Sequence, residues 1–380
     1  MSFQNSAILS LGSNSGDRLQ NIRDAITFIH EKIATVIKVS KLYETPSWGF
    51  ESEDFYNCAI LVHTSKSALE LLAALLSAEE QAGRVRNSEG GYRARSIDID
   101  IVAFNNDIIN EHHLHVPHPR MHERNFVLYP LRDVDNEWIH PVLLKNIQLL
   151  IECSPDTSTC TLISPLEAPL EALNLQQLNY IAVEGNIGAG KTSLSCKISQ
   201  DFNARLVQER FAGNPFLPLF YKDQARYAFS LEMSFLADRY HQIADDLAQF
   251  NLFNDLVVSD YYIVKSLIFS KVTLSEEEST LYQKIFEIMY KEVPKPGLYI
   301  YLYQSTERLL ENIKKRGRTY EQDIKAEYLA KINQGYLDFI KSQQGLEVLI
   351  IDVTDKDFVN NQEDYIEILS EIQLKVAALQ

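Results

Sequence analysis

The sequence has few cysteines and no excess of positive charge. Its four cysteines, Cys58, Cys153, Cys160 and Cys196, form no CxxC pair, so they indicate neither a zinc site nor a disulfide framework. The 36 Lys and Arg are outnumbered by 52 Asp and Glu, and the formal net charge is -16. This balance argues against non-specific binding to nucleic acid or anionic membranes, so we expect neither as a partner.

Long apolar runs are also absent. No stretch reaches the roughly 18 apolar residues of a membrane span, and residues 1–4 lack the basic start of a signal peptide. We therefore expect a cytoplasmic protein. The 380 residues, 46% of them hydrophobic and 23% charged, exceed one typical globular core and favour two domains.

The clearest motif that is present is a glycine loop between an apolar run and a segment that can be helical. It matches GxxxxGK[ST], the pattern of a P-loop. Backbone N–H groups of such a loop wrap a phosphate chain, the lysine reaches the outer phosphates, and the Thr hydroxyl can hold Mg²⁺. The predicted phosphate-binding residues are Gly185, Asn186, Ile187, Gly188, Ala189, Gly190, Lys191, Thr192 and Ser193.

The P-loop also divides the chain, because P-loop folds usually open with the strand before it. We predict a first domain over residues 1–160, a linker over 161–178 and a second domain over 179–380. Predicted strands at 180–184, 204–208, 256–260, 298–303 and 348–352 alternate with helical stretches. This alternation predicts an α/β domain with a parallel sheet flanked by helices.

The first domain has a different order of elements. Strands are predicted at 6–11, 36–43, 55–63 and 96–104, and helices at 19–33 and 67–82. The order β-α-β-β-α-β is that of an α+β ferredoxin-like domain. Prolines between residues 117 and 141 punctuate short helices, which we expect to cover one side of the sheet.

Two carboxylates alternate along the last of these strands. Asp98 and Asp100 share a face, and such a pair is a suitable oxygen site for Mg²⁺ bound to phosphates. The solvated face of an edge strand is the alternative interpretation. Arginines before the pair suit a polyphosphate. These arginines are Arg84, Arg86, Arg93 and Arg95.

A loop with proline, glycine and Trp48, followed by Phe55 and Asn57, could sandwich a flat heterocycle. Phe126 could form the opposite face of the sandwich, although aromatic core packing is the alternative for both phenylalanines. The histidines at positions 112, 113, 115, 118 and 122 match no usual zinc spacing. We expect His118 to contact phosphate and the others to lie at the surface.

These motifs, with Gly12-Ser13-Asn14 and Val116-Pro117-His118, resemble the 6-hydroxymethyl-7,8-dihydropterin pyrophosphokinases of folate biosynthesis over about residues 3–158. The resemblance implies a ferredoxin-like fold, ATP, two Mg²⁺ and transfer of diphosphate to the pterin hydroxymethyl group, with AMP released. It implies that Asp98 and Asp100 are the metal ligands. It also implies ATP contacts from Glu79, Arg84, Arg86, Arg95 and His118, and pterin contacts from Thr45, Asn57, Tyr92 and Phe126.

In the second domain, acidic residues follow two predicted strands at the edge where ligands bind. Glu209 and Asp260 could serve as base and magnesium partner of a kinase. The basic run 314–318 contains a glycine and suits a mobile lid, with a solvated helix face as the alternative.

Over about residues 178–378 the chain resembles the deoxynucleoside kinases, through the P-loop, Glu209, Asp260 and the segment 316–322. The resemblance implies that Glu209 is the base on the 5′-hydroxyl and that Asp260 assists one Mg²⁺. Tyr261 stands where the family often has Arg, and Lys315 or Arg316 could compensate. The resemblance assigns charge stabilisation to Lys191, Arg316 and Arg318 and substrate contacts to Tyr221, Glu232, Arg239 and Glu321.

The identity of the nucleobase stays open. Glu232 stands where a base-reading Gln is common, and a carboxylate matches the two donors of guanine, whereas adenine requires a protonated or shifted Glu. Kinases fused to a pterin pyrophosphokinase nevertheless resemble deoxyadenosine kinases. We therefore expect a bifunctional enzyme that phosphorylates a purine deoxynucleoside, with deoxyadenosine favoured, and that dimerises through kinase-domain helices. The alternative is that one domain is an inactive binding or dimerisation module.

Overall fold

The computed structural model describes residues 4–47, 53–83, 95–210, 213–250, 256–289, 293–343 and 345–379, with residues 243–250 described as backbone only. The chain divides into two compact units, Met1–Asn174 and Leu175–Gln380. Among the described residues, no helix combines the length and the apolar character needed to cross a membrane.

The N-terminal unit is built on an antiparallel sheet. Strands β5 and β4 flank β1, and β4 also pairs with β2 and β3. The elements are β1 (Asn5–Ser13), α1 (Arg18–Phe28), β2 (Thr35–Val39), β3 (Leu42–Thr45), β4 (Phe55–Thr64), α2 (Ala68–Gln81), β5 (Asp98–Phe104), β6 (Ile109–Asn110), β7 (His115–Val116), α3 (Asn125–Val134), α4 (Ile147–Glu152) and β8 (Thr161–Ser164).

Both faces of this sheet are covered by helices. On one face, Ile99 and Ile101 join a core with residues of α1 and α2, such as Ile22 and Leu71. On the other face, α3 and α4 pack over alternate strand residues such as Ala59. The short helices predicted after residue 117 are therefore confirmed, and they cover one side of the sheet. The site residues of this unit lie on that α3 side.

The helix starts follow from local sequence. Ser67 caps α2: its Oγ accepts from the N–H of Glu70, and the Glu70 carboxylate accepts from the N–H of Ser67, which forms a capping box. Helix α1 continues beyond Phe28 as a π-helical turn, Ile29–Ile33, so the single helix predicted over 19–33 changes its geometry near its end.

Two sequence expectations need correction in this unit. The single strand predicted over 36–43 is two strands, β2 and β3, that pair with different parts of β4. The segment predicted as a linker, 161–178, contains β8, which pairs antiparallel with β3. The division between units falls after Asn174, because this pairing holds the first part of the segment in the N-terminal sheet.

The C-terminal unit has the predicted parallel sheet, in the order β10-β11-β9-β12-β13. Its elements are β9 (Tyr180–Gly185), α5 (Lys191–Asp201), β10 (Arg205–Val207), α6 (Leu217–Lys222), α7 (Gln224–Phe250), β11 (Val257–Ser259), α8 (Lys265–Thr273), α9 (Glu276–Met289), β12 (Leu298–Tyr303), α10 (Thr306–Arg316), α11 (Ala326–Ser342), β13 (Val348–Asp352) and α12 (Gln362–Ala377).

The strands of this sheet are buried on both faces, as near-continuous apolar runs predict. Ala182 and Tyr301 pack with residues of α8 and α11 in one core cluster. The alternate residues Ile181 and Ile300 are also fully buried. All five strands begin at the predicted residue or one residue later, and their carboxyl ends carry the second site.

Candidate active sites

In the N-terminal unit, three neighbouring strands bring polar residues into one row. Gly12 of β1 lies opposite Asn57 on one side and Asp98 on the other. Asp98 and Asp100 project away from the isoleucines between them, as the alternation predicts. Two strand spacings separate Asn57 from Asp98, about 10 Å. The row can therefore hold a flat group beside Asn57 and a metal with phosphates beside the aspartates.

The Asn57 end of the row is tightly organised. The Asn57 amide donates to Thr45 Oγ1 at 2.8 Å, and both residues are buried. A Cβ on Gly12 would lie 3.1 Å from Asn57 Oδ1 and 3.7 Å from the Phe55 ring, so glycine leaves open the space above the row. Phe126, on α3, packs on the same side of the sheet. These contacts leave the Asn57 carbonyl oxygen beside an aromatic ring.

The aspartate end has positive charge close by. Arg95 Nη1 contacts Asp98 Oδ2 at 2.5 Å, and Arg95 is held by backbone hydrogen bonds with Asn14. Burial, and then the charge of Arg124, lowers the pKa of His118 to about 4, whereas the nearby Asp98 acts in the opposite direction. His118 is therefore neutral at pH 7 and can donate or accept a hydrogen bond beside Asp98.

The structure describes only some of the other residues that were predicted to contact ATP and pterin at this site. Glu79 is buried, and its Oε1 accepts from the N–H of Ile99 at 2.8 Å, which ties α2 to the strand of the aspartates. Arg84, Arg86, Arg93 and Tyr92, with Trp48, lie outside the described residues. Arg124 was missed by the sequence reasoning, which named Asn14 as part of a motif but assigned it no contact.

Within the described residues, no group of three or more His, Cys, Asp and Glu side chains is arranged to hold a metal. The rings of His112 and His113 contact each other at the surface, and His122 lies near His140. The aspartate pair supplies two ligand residues. A metal held there would take its remaining oxygens from phosphate or water, which suits Mg²⁺.

In the C-terminal unit, the P-loop turns between β9 and α5. Gly190 has φ +88°, and a Cβ there would lie 2.6 Å from the Phe358 ring, so only glycine fits this turn. The Asn186 amide donates to Leu329 O and Asn333 Oδ1, both at 2.8 Å, which anchors the loop to α11. Lys191 Nζ donates to Asn186 O at 2.8 Å.

The loop meets two carboxylates. Thr192 Oγ1 donates to Asp260 Oδ2 at 2.5 Å, and the N–H of Glu209 donates to Asp260 Oδ1 at 2.7 Å. The adjacent oxygens of Thr192 and Asp260 form a donor set that suits Mg²⁺ at the head of the phosphate loop. The remaining P-loop residues, from Ile187 to Ser193, line the turn and the first turn of α5.

Glu209 lies between two cations. Arg239 Nη2 contacts its Oε1 and Lys265 Nζ contacts its Oε2, each at 2.5 Å. Burial alone would raise the pKa of Glu209, but the charges of Lys265 and Arg239 hold it well below its usual range. Arg239 is itself fixed, because its Nη1 donates to Ser266 Oγ at 2.6 Å. Glu209 is therefore ionised at neutral pH.

Two further charged residues at this site, Lys265 and Glu184, escaped the sequence reasoning. Glu184 ends β9, is fully buried, and accepts from the N–H of Tyr262 at 2.6 Å and from the Tyr336 hydroxyl at 2.9 Å. Burial raises its pKa, opposed by the charges of Lys265 and Lys191. Burial and then Lys265 lower the pKa of Lys191 to about 8. The signal that could have found both residues is their position after strands of a parallel sheet.

A second group of polar residues extends from Arg239 along α7. Glu232 is buried and accepts from Thr273 Oγ1 at 3.1 Å. Burial raises the pKa of Glu232 to about 7, against the charge of Arg239. Burial and the charge of Glu321 raise the pKa of Tyr221. The four predicted substrate residues of this unit are therefore linked electrostatically, since Tyr221 is coupled to Glu321 and Glu232, and Glu232 to Arg239.

The predicted lid lies at the C-terminal end of helix α10. Residues Lys314, Lys315 and Arg316 form the last turn of α10, where positive charge is favourable, and Gly317 ends the helix at φ +73°. Arg316 pairs with Glu321, and Arg318 Nη1 contacts Glu321 Oε1 at 3.2 Å. Arg316 and Arg318 therefore lie next to the residue predicted to bind the sugar.

The side chain of Tyr261 is buried in an apolar cluster. It is 3% exposed and packs with Val207, Val257 and Tyr180, so its ring belongs to the core. The suggestion that Lys315 or Arg316 replaces a missing arginine is not supported by contacts, since Arg316 pairs with Glu321 and Lys315 is exposed. In the segment that follows β11, the buried cation that contacts Glu209 is Lys265.

A phosphate loop that opens a parallel sheet, with an ionised carboxylate and cations at the carboxyl ends of the strands, defines a P-loop kinase. Residues 181–377 match the family described as deoxynucleoside kinase, and residues 8–136 match 7,8-dihydro-6-hydroxymethylpterin-pyrophosphokinase. The chain belongs to the deoxynucleoside kinase family, and its N-terminal part belongs to the pterin pyrophosphokinase family. It therefore joins two kinases, and both families support ATP as the phosphate donor.

Individual relatives agree with this division. The chain is 38% identical to a deoxyguanosine kinase of Bacillus subtilis, over 51% of this chain and 96% of that protein. It is 31% identical to a deoxyadenosine kinase of Lactobacillus acidophilus, over 52% and 97%. Its other half is 43% identical to a 2-amino-4-hydroxy-6-hydroxymethyldihydropteridine pyrophosphokinase of Bacillus subtilis, over 35% of this chain and 79% of that protein.

Proposed function

We propose that the C-terminal unit transfers the γ-phosphoryl group of ATP to the 5′-hydroxyl of a purine deoxynucleoside. The observation that carries this proposal is the arrangement of Glu209, ionised between two cations, against Asp260 and the P-loop threonine. A kinase needs a carboxylate near the nucleophile and a metal position near the phosphates, and this cluster supplies both.

In this reaction Glu209 accepts the proton of the 5′-hydroxyl, while the hydroxyl oxygen bonds to the γ-phosphorus and ADP leaves. Lys191 and the loop N–H groups hold the phosphates. Thr192 and Asp260 hold one Mg²⁺, which neutralises phosphate charge when bound. Arg316 and Arg318 close over the phosphates, and Tyr221 with Glu321 holds the 3′-hydroxyl. Arg239 orients Glu209 and the substrate.

Glu232 decides the nucleobase in this proposal. When ionised, its carboxylate accepts from both donors of guanine. When neutral, it donates to N1 of adenine and accepts from the adenine amino group. Because its pKa lies near 7, both purines are substrates, and deoxyadenosine is favoured when Glu232 is neutral. The likeness to kinases named for each purine supports this dual acceptance.

The N-terminal unit, we propose, transfers diphosphate from ATP to 6-hydroxymethyl-7,8-dihydropterin and releases AMP. Asp98 and Asp100 hold two Mg²⁺ with the help of phosphate oxygens, and the cations screen the charge of the transferred group. The contacts proposed for ATP are those of Glu79, Arg84, Arg86, Arg95 and His118. Thr45, Asn57, Tyr92 and Phe126 bind the pterin, with Asn57 Oδ1 free to accept from a ring N–H.

Assignments of fold class, domain bounds and oligomeric state accompany the proposed reactions. The order β1-α1-β2-β3-β4-α2-β5, in which β2 and β3 take the place of one predicted strand, and the antiparallel pairing support a ferredoxin-like class for the N-terminal domain. The pyrophosphokinase reaction is assigned to the unit Met1–Asn174 and the kinase reaction to the unit Leu175–Gln380. We propose a homodimer through kinase-domain helices, which sedimentation equilibrium would test: a mass near 43.5 kDa, that of one chain, would exclude it.

One experiment tests both reactions together. The protein is incubated with Mg-ATP and either the pterin or one deoxynucleoside, and AMP and ADP are separated. We expect AMP only with the pterin and ADP only with purine deoxynucleosides. Absence of AMP would reject the N-terminal assignment, and thymidine turnover equal to that of purines would reject the role of Glu232.

A further inference from the structure

Lys265 is a buried cation in the kinase site that no sequence motif assigned. It is the first residue of α8, is 8% exposed, and points at the proposed base from the side opposite Arg239. The charges of Glu184 and Lys191 are both coupled to it. Lys265 therefore contacts the proposed base and lies near enough to the lysine of the phosphate loop for their charges to interact.

The contacts of Glu209 show which of its two cations can leave. Arg239 makes two hydrogen bonds to Glu209 Oε1, through Nε at 3.0 Å and Nη2 at 2.5 Å, and a third to Ser266. Within the described parts of the chain, Lys265 Nζ donates one hydrogen bond, to Glu209 Oε2. A lysine ammonium on a four-carbon stem can change partner by rotation, whereas a guanidinium held at three points cannot do so without breaking several bonds.

A carboxylate oxygen accepts about two hydrogen bonds, and Oε1 of Glu209 already accepts two from Arg239, whereas Oε2 accepts one from Lys265. While Lys265 stays at Oε2, its charge lowers the proton affinity of the base, so its departure favours proton transfer from the substrate. An approaching 5′-hydroxyl needs one carboxylate oxygen, and the oxygen held by a single mobile partner is Oε2. Lys265 then needs another anionic partner, because a buried ammonium without one is strongly unfavourable. Phosphates bound by the loop would supply that partner, because Lys265 lies near enough to Lys191 for their charges to interact.

We propose that Lys265 is a catalytic residue that leaves Glu209 when the deoxynucleoside binds and then holds the transferring γ-phosphoryl group. Glu209 Oε2 takes the 5′-hydroxyl proton, the bond from the 5′-oxygen to the γ-phosphorus forms, and the bond from that phosphorus to the β–γ bridging oxygen breaks, with ADP taking the electron pair. Lys265 keeps its protons and donates hydrogen bonds to the phosphoryl oxygens. This inference rests on the proposed kinase function.

The inference also accounts for the core position of Tyr261. In this chain the residue after Asp260 packs in an apolar cluster and carries no charge into the site. Lys265, four residues further on, supplies a cation from the same segment. The phosphoryl group thus meets Lys191 from the P-loop and Lys265 from the start of α8.

The test compares Lys265→Met with Lys265→Arg and with the control Lys271→Met, an exposed lysine of the same helix. For Lys265→Met we expect kcat for deoxynucleoside phosphorylation to fall about 10²- to 10³-fold, as for loss of one charge-stabilising contact. Binding of ADP, measured by calorimetry, should change less than about threefold, since ADP lacks the γ-phosphoryl group that Lys265 holds. Deoxynucleoside binding should not weaken, since the substrate no longer has to displace Lys265 from Glu209. Lys265→Arg should recover part of the rate, and Lys271→Met should match the wild type.

A second measurement tests whether Lys265 contacts the phosphoryl group or only positions Glu209. Aluminium fluoride with ADP mimics a transferring phosphoryl group, so it should tighten ADP binding to the wild type in the presence of deoxynucleoside. Lys265→Met should lose at least about tenfold of this tightening, because the mimic loses its cation. Unchanged tightening with a reduced kcat would overturn the inference and leave Lys265 as a positioning residue.

Failure of the inference is distinguishable from failure of the proposed function. A wild-type protein that binds ADP but phosphorylates no deoxynucleoside overturns both. An active wild type with an equally active Lys265→Met variant overturns only the role of Lys265. If Lys265→Met no longer binds ADP, Lys265→Arg carries the test, and a normal fluoride response with a normal rate for that variant supports the role of a cation at this position.

Discussion

The two sites of this chain handle phosphate charge in different surroundings. In the C-terminal unit, Glu209 is enclosed by Arg239 and Lys265, and its neighbour Asp260 is held by backbone and threonine donors. In the N-terminal unit, Asp98 is half-buried and Asp100 is exposed on a sheet face. Among the described residues, Glu209 of the C-terminal site thus lies buried between two cations, whereas in the N-terminal site one arginine, Arg95, contacts Asp98 and the neighbouring Asp100 is exposed.

The largest expected effect tests whether the sites are independent. Asp98→Ala or Asp100→Ala should lower AMP formation from ATP and pterin by more than about 10³-fold, because metal binding is lost. The same variants should leave ADP formation with deoxyadenosine unchanged. Lys191→Ala should have the opposite pattern.

Asp107→Ala, an exposed aspartate beyond β5, is the matched control and should retain both activities. Loss of both activities in any one of the three site variants would contradict independent sites. The separate measurement of AMP and ADP makes this result unambiguous.

The next prediction concerns the enclosed carboxylate. Glu209→Gln should lower kcat for deoxynucleoside phosphorylation about 10²- to 10⁴-fold, because the amide cannot accept the hydroxyl proton. The pterin reaction in the same preparation should continue at the wild-type rate. A kcat within a factor of three of the wild type would remove Glu209 as the base and weaken the contrast between the sites.

The third prediction uses the pKa of Glu232, which burial raises to about 7. As the pH falls from 8 to 6, the neutral form grows and the ionised form declines, each by about tenfold. The ratio of kcat/KM for deoxyadenosine to that for deoxyguanosine should therefore rise with falling pH, by up to about 100-fold. Glu232→Gln cannot titrate and should make this ratio independent of pH; an unchanged pH dependence in the variant would assign it to another group.

The smallest effect tests how rigid the phosphate loop is. Gly190→Ala should lower the free energy of unfolding by about 2 kcal/mol or more, since it adds left-handed strain and a methyl group 2.6 Å from Phe358. Gly345→Ala, at φ +80° with open space around it, should cost only about 1 kcal/mol. Equal losses in thermal or urea unfolding would show that the loop yields to the added methyl.

Much of the fold could be predicted from the sequence because its signals are local. Apolar runs separated by helical stretches predicted all five parallel strands, and Ser67 predicted the start of α2. The errors came in segments whose structure depends on the strands with which they pair. The break between β2 and β3, and the strand at Thr161–Ser164, depend on partners distant in the chain. No local pattern in a mixed segment carries that information.

The candidate sites likewise contain some residues that motifs reveal and others that only folding brings together. Residues within recognisable motifs, such as Lys191, Thr192 and the aspartate pair, could be named in advance. Lys265 and Glu184 were missed, because position near the end of a strand was their one signal and their contacts arise only when folding places them beside Glu209 and Lys191. Compensation by Lys315 or Arg316 for the arginine that is common at position 261 stays a prediction, and nothing in the sequence indicated that the ring of Tyr261 packs in an apolar cluster.

By itself, the sequence determined that this chain has a phosphate loop, a strand with two aspartates on one face, and two units of different architecture. These follow from spacing along the backbone, which repeats every two residues in a strand and every 3.6 in a helix. Only the tertiary structure decided that Glu209 is flanked by two cations and that Glu232 is buried enough for its pKa to approach 7. Charge and burial act through space, so the groups that tune a site are set by packing and not by their order in the chain.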